Sequence, residues 1–178
     1  MWTTVESIVG PLRIVTHNDA VTAIEFKGAK PDEASRHSSP HSSTARAAAR
    51  AAGRPVGDRT DSDPLLQETV RQLAAYFLRD LKEFDLPLRP AGTAFQLRVW
   101  DQLVGIGYGS TASYGEIAGQ LGMTRAASRA VGLANGRNPI PIVIPCHRVV
   151  GVTGILTGYA GGVERKQRLL ELEQDALF

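Results

Sequence analysis

The chain has 178 residues, 43% of them apolar, with a formal net charge of +2 and one cysteine, enough for one large domain or two small ones around a real core. A lone cysteine excludes an internal disulfide and a thiolate-rich zinc site, and the weak net charge does not by itself argue for nucleic acid. No apolar run approaches the roughly 18 residues of a membrane span, and Met1-Trp2-Thr3-Thr4 lacks the basic start of a signal peptide, so a cytoplasmic, reducing setting is expected.

Residues 3–27 alternate apolar and polar positions through Val5, Leu12, Ile14, Val21 and Ile24 to Phe26, punctuated by Gly10-Pro11 and His17-Asn18-Asp19. They read as a small antiparallel sheet of two or three strands. Residues 30–63 are rich in Ser, Ala and Arg, with Val56 as the one large apolar side chain, and read as a flexible insertion. Asp63-Pro64 starts a helix whose stripe is Leu66, Val70, Leu73 and Phe77. Phe84, Leu86 and Leu88 alternate as a short strand, placed at an edge by Pro87. Pro90-Ala91-Gly92 divides an N-terminal half, 1–90, from a C-terminal half, 91–178.

The second half opens on Thr93-Ala94-Phe95-Gln96, a capping box for a helix carrying Phe95, Val99, Trp100 and Leu103. Ser113-Tyr114-Gly115-Glu116 is a second capping box, Gly122 ends that short helix, and Thr124 is placed to cap the next, Arg125 to about Ala134. Two short helices about a glycine turn have the pattern of a helix-turn-helix. The second is nearly bare, with Ala126, Ala127, Ala130, Gly132 and Ala134 between Arg125 and Arg129. Such a helix suits either a groove wall, with Arg on phosphate or in a base stack, or tight packing on another helix.

The run Ile140 to Ile144 reads as a buried strand stopped by Pro145, which puts Cys146 where the backbone turns, followed by His147 and Arg148. A buried cysteine often only fills space. Here the polar break Pro145-Cys146-His147-Arg148 interrupts an apolar stretch, and no Asp or Glu occurs from Ile117 to Val163, whereas Arg125, Arg129, Arg137 and Arg148 do. A local charge of about +4 favours a thiolate and attracts a polyanion. After a glycine-rich loop with Tyr159, the last helix, Val163 to about Leu177, puts Glu173 on the face of Leu169, Leu170 and Leu177, with His147 as the partner expected for a buried carboxylate.

Pro145-Cys146-His147-Arg148-Val149, with Ser113-Tyr114, Arg129-Ala130-Val131-Gly132, Asn138-Pro139, Tyr159 and Glu173 in order, resembles the O6-alkylguanine-DNA alkyltransferases, strongly over 93–173 and weakly before. The resemblance implies an α/β protein: a small N-terminal ribonuclease-H-like sheet and helix domain plus a mainly helical C-terminal domain with a winged-helix-like helix-turn-helix. It implies flipping of the damaged base and irreversible, single-turnover transfer of the alkyl group from O6 of guanine, less well from O4 of thymine, to Cys146. His147 would be the base, Glu173 its orienting acid, and Tyr114 the proton donor to guanine. Arg129 would fill the vacated stack from the minor groove, with Arg125, Ala127, Ala130, Ser113 and Arg148 as further DNA contacts. Val149, Tyr159, Ala160 and Asn138 would form or brace the base pocket.

The resemblance leaves one departure at the pocket, since Ala160 offers no hydroxyl where many members have serine and only its backbone N–H could serve. Adjacent side chains on an extended strand point to opposite faces, so Cys146 and His147 need a bend or a bridging water. No cofactor or metal is expected. The partner is double-stranded DNA holding O6-alkylguanine, and the chain is expected to be monomeric. Two rivals remain: a DNA-damage sensor without chemistry, and a thiol hydrolase, which would need an oxyanion hole and repeated turnover.

Overall fold

The computed structural model describes residues 1–27, 58–154, 156, 159 and 161–174. Most of the expected insertion at 30–63, together with Ala160 and Leu177, lies outside them. The fold is a two-domain α/β arrangement, a small sheet domain followed by a helical one.

Strands β1 (Trp2–Val5), β2 (Leu12–His17) and β3 (Ala20–Phe26) form an antiparallel sheet in the order β1-β2-β3, as expected. The β2–β3 hairpin closes on Asn18 and Asp19, both at positive φ (48° and 57°), the backbone signature of the type I′ turn that matches strand twist. Helix α1 (Pro64–Phe77) starts where expected: Asp63 accepts from the Leu66 amide at 2.8 Å and Pro64 occupies the first turn. Its buried face runs through Leu66, Thr69, Leu73 and Tyr76, while Val70 and Phe77 are half-buried, so the seam is rotated from the expected stripe toward Tyr76.

Two expected strands are absent. Around Leu88 only a single bridge to Val21 forms, through Val21 N–H to Pro87 O (2.8 Å) and Arg89 N–H to Val21 O (2.9 Å). Pro87 and Pro90 supply no N–H, so the ladder goes no further. The run Ile140–Ile144 is a tight buried turn instead of a strand, with Ile142 at φ 75°. Pro139, Pro141 and Pro145 remove the donors a strand requires. Asn138 satisfies the turn: its Oδ1 accepts from Ile140 N–H (3.0 Å) and its Nδ2 donates to Ile144 O (2.8 Å).

Helix α2 (Ala94–Val104) has the full capping box at Thr93 and Gln96, and buries Val99, Trp100 and Leu103, with Phe95 half-buried. Strand β4 (Ala112–Ser113) leads into α3 (Tyr114–Gln120), whose capping box joins Ser113 and Glu116. The expected helix from Arg125 is divided into a 3₁₀ turn, Arg125–Ala127, and α4 (Ser128–Asn135). Thr124 stands at the first cap but makes no side-chain bond there; Ser128 instead donates its hydroxyl to Arg125 O at 2.5 Å. After the 3₁₀ turn Cys146–Arg148 come β5 (Val149–Val150), parallel to β4, and α5 (Val163–Gln174).

One apolar core runs through both domains, from Leu12, Ile14 and Ile24 through Tyr76 and Trp100 to Ile144, Tyr159 and Leu169. Polar ties reinforce it: Ile24 N–H donates to Pro139 O at 2.9 Å, and Arg168 reaches Ile8 O at 3.2 Å. Among the described residues no helix is long and apolar enough to cross a membrane.

Candidate active site

The cysteine sits on a sharp double bend. Pro145, at φ −81° and ψ 61°, is the centre of an inverse γ-turn closed by Cys146 N–H to Ile144 O at 2.8 Å. A 3₁₀ turn begins at once, so Cys146, His147 and Arg148 splay about 120° apart in place of alternating across a strand. The bend demanded by neighbouring Cys and His is therefore built into the backbone. Asn135, which the sequence reading did not single out, braces it by donating to Cys146 O at 3.2 Å.

His147 and Arg148 both end on Glu173. His147 Nε2 lies 2.8 Å from Glu173 Oε1, and Arg148 Nε lies 3.0 Å from Oε2. Tyr76 donates its hydroxyl to Oε1 at 2.7 Å, and Gly109 N–H donates to Oε2 at 3.2 Å. Burial raises the pKa of Glu173, but the hydrogen bonds from His147 and Arg148 outweigh it and bring it down to about 2. The carboxylate is thus ionised, which makes His147 Nε2 the donor and leaves Nδ1 as the basic nitrogen. Nδ1 is buried without a hydrogen-bond partner among the described residues. Burial lowers the pKa of His147, so the ring is neutral and ready to accept a proton.

Arg148 corrects an expectation. It was expected to contact DNA, yet it is buried, fully engaged with Glu173 and with Ile106 O, and stacked 5.8 Å from the Tyr108 ring. A guanidinium neutralised by a buried carboxylate contributes no free charge to the surface. The thiol also departs from the expected field-stabilised thiolate. Cys146 is only 2% exposed, and burial pushes its pKa up, against opposing pulls from Asn138, Lys166 and Tyr159.

Lys166 is the chief residue that sequence reading missed. It is fully buried, and its Nζ donates to Val149 O at 2.6 Å and lies 5.9 Å from the Tyr114 ring. Burial lowers its pKa to about 8 against the upward pull of Cys146. The signal was present: Lys166 falls on the Leu169, Leu170 and Glu173 face of α5, where a cation needs a reason to be buried.

The parallel pair Ala112↔Val149 and Ser113↔Val150 brings Tyr114, the first residue of α3, beside the cysteine turn. Gly132 of α4 packs against the Tyr114 ring, and a Cβ there would meet the ring at an ordinary van der Waals distance of 3.6 Å. Arg125, Arg129 and Ala130 are exposed on one segment, Ala127 and Ser113 are half-buried, and the Ser113 side chain caps α3. Val149, Asn138 and Tyr159 are buried around the cysteine turn, and the Tyr159 hydroxyl has no hydrogen-bond partner among the described residues.

Comparison with known proteins agrees over the whole chain. Residues 1–90 match the ribonuclease-like domain of 6-O-methylguanine DNA methyltransferase, and residues 94–175 match its DNA binding domain. A methylated-DNA–protein-cysteine methyltransferase of Mycobacterium tuberculosis H37Rv is 44% identical over 172 residues, 96% of this chain and 90% of that one. A protein of the same name from Methanosarcina barkeri is 42% identical, over 97% and 96% of the two chains. The crystal structure of M. tuberculosis OGT in complex with DNA superposes with a TM-score of 0.79 at 42% identity, covering 98% of this chain and 92% of that one. A cysteine on a double bend, a histidine oriented by a buried carboxylate and two matching domain models lead to one assignment: the chain belongs to the 6-O-methylguanine DNA methyltransferase family.

Proposed function

We propose that this protein repairs DNA by moving an alkyl group from O6 of guanine, and less readily from O4 of thymine, to Cys146. The observation that carries the reading is the pair of nitrogens on His147, the residue that follows the lone cysteine: Nε2 held by an ionised Glu173, Nδ1 basic and without a hydrogen-bond partner among the described residues.

In this reading the thiol gives its proton to His147 Nδ1, directly or through a bridging water, and Glu173 stabilises the imidazolium that forms. The sulfur attacks the alkyl carbon, the carbon–O6 bond breaks, and its electron pair returns to the purine. Tyr114 donates a proton to the guanine ring, so neutral guanine leaves. The thioether is a poor leaving group, so each molecule acts once. A raised thiol pKa makes the histidine necessary, because little thiolate exists beforehand.

The substrate is a guanine turned out of double-stranded DNA. Arg129 on the bare α4 fills the vacated stack from the minor groove, with Arg125, Ala127, Ala130 and Ser113 against the backbone. Tyr159 walls the base pocket, Val149 and the backbone at Ala160 contact the base, and Asn138 braces the turn beneath. The protein acts as a monomer.

Intact-mass measurement after incubation with an O6-methylguanine duplex tests this. The expected result is one methyl per protein on the wild type and none on Cys146→Ser. An unlabelled wild type that still binds the damaged duplex would mark a sensor, and sustained turnover on an acyl ester would mark a hydrolase.

A further inference from the structure

The Tyr159 hydroxyl lies close to the acceptor thiol, and among the described residues no well-formed hydrogen bond fixes it. Its position therefore depends on packing. The packing partner belongs to the other domain: the Phe26 ring, at the end of β3, meets Tyr159 edge-on at 5.9 Å between centroids and 61° between planes. Gly161 lies between them, since a Cβ there would stand 2.8 Å from Phe26 and 2.9 Å from Tyr159. Any side chain at that position would drive the two rings apart.

Arg165 fastens this arrangement. From α5 it donates Nε to Val9 O at 2.6 Å in the sheet domain, and Nη1 to Gly161 O at 2.8 Å in the Tyr159 loop. Its guanidinium also lies over the Phe26 ring, 5.3 Å from the centroid. Two residues earlier on β3, Ile24 N–H holds Pro139 O at 2.9 Å, beside Asn138 and the cysteine turn. One strand of the sheet domain thus touches both sides of the acceptor site, although it contributes no group to the chemistry.

We infer that Phe26 is a positioning residue for alkyl transfer: with Arg165 it sets the Tyr159 wall against which the extruded base is held, and so the approach of the alkyl carbon to Cys146. The inference rests on the repair reading given above. Displacing a reacting atom by about 1 Å costs on the order of a hundredfold in rate, so a wall held largely by packing and by the Arg165 clamp is sensitive to its support. The support is expected to act after DNA is bound, because Phe26 and Arg165 belong to β3 and α5 and not to the segment that carries Arg125 and Arg129.

The test is single-turnover transfer from an O6-methylguanine duplex at saturating DNA, with duplex affinity and melting temperature measured on the same samples. Phe26→Ala is expected to slow the limiting rate roughly tenfold while its Kd for undamaged duplex stays within about twofold of wild type, and Phe26→Tyr, which restores the ring edge, is expected to recover most of the rate. If Phe26→Ala does not fold, Phe26→Leu and Arg165→Lys carry the test, each expected to be several-fold slower at unchanged affinity. Wild-type rates in these variants would overturn the role of Phe26, as would a loss that vanishes once the assay is run well below the variant's melting temperature. Failure of the wild type itself to take up the methyl group would instead sink the repair reading, and this inference with it.

Discussion

Glu173 gathers Tyr76, His147, Arg148 and the Gly109 amide on two oxygens, so it orients the base and neutralises a buried guanidinium at once. Glu173→Gln leaves Arg148 buried without its counter-charge, and breaking such a pair costs about 3–5 kcal/mol. The folded-state pKa near 2 lies below the ordinary 4.5, so the carboxylate's stabilisation is complete above pH 4.5 and is lost as pH falls toward 2. Denaturant unfolding should show a lower midpoint for Glu173→Gln at pH 7, and this acid-dependent loss should be missing from the variant. The His147–Glu173 pair was legible from sequence, because a carboxylate on an apolar helix face needs a partner and few were on offer. Tyr76 was not, since it lies 97 residues away in sequence and only the rotated seam of α1 brings it inward. The true place of Arg148 was hidden by its company: among three other arginines in an acid-free stretch it looked like a phosphate contact, and only the reach of Glu173 from α5 reverses that.

Among the elements, capping chemistry transferred well from sequence to structure. Asp63, Thr93 and Ser113 each close a helix start, because a cap is decided within four residues. The strand expected at Ile140–Ile144 failed for a reason also present in the sequence. Apolar character recorded burial correctly, but three prolines in seven positions remove the ladder donors, and Asn138 supplies the bonds that a neighbouring strand would have given. Asn138→Ala leaves the buried Ile140 N–H without its partner, at about 1–3 kcal/mol, and removes one of the two bonds to Ile144 O, which keeps the Cys146 N–H. Its melting temperature should fall by several degrees, roughly 2–4 °C being lost per kcal/mol in a chain of this size, and transfer to Cys146 should slow because the turn that presents the thiol is no longer held. An unchanged midpoint would mean that the turn is held by its apolar packing instead.

At the scale of the whole molecule, the two domains share one core and are tied through Ile24, Arg165, Arg168 and Tyr76, so the sheet domain serves as scaffold for chemistry carried by the other. The sequence indicated the sheet, but not these ties, most of which depend on main-chain carbonyls that carry no side-chain signature. The acceptor lies at the centre of this joint core, with almost no free surface around its sulfur. A protein that has done its work must accommodate an extra carbon there permanently. Overfilling a packed interior costs typically about 1–3 kcal/mol, which is a sizeable part of the whole margin of a folded chain. The methylated form should therefore melt several degrees below the fresh one in a calorimeter, and a benzylated form lower still. The reaction would then leave its own mark for the cell to read, a spent molecule that loosens and is open to proteolysis while unused copies stay tight.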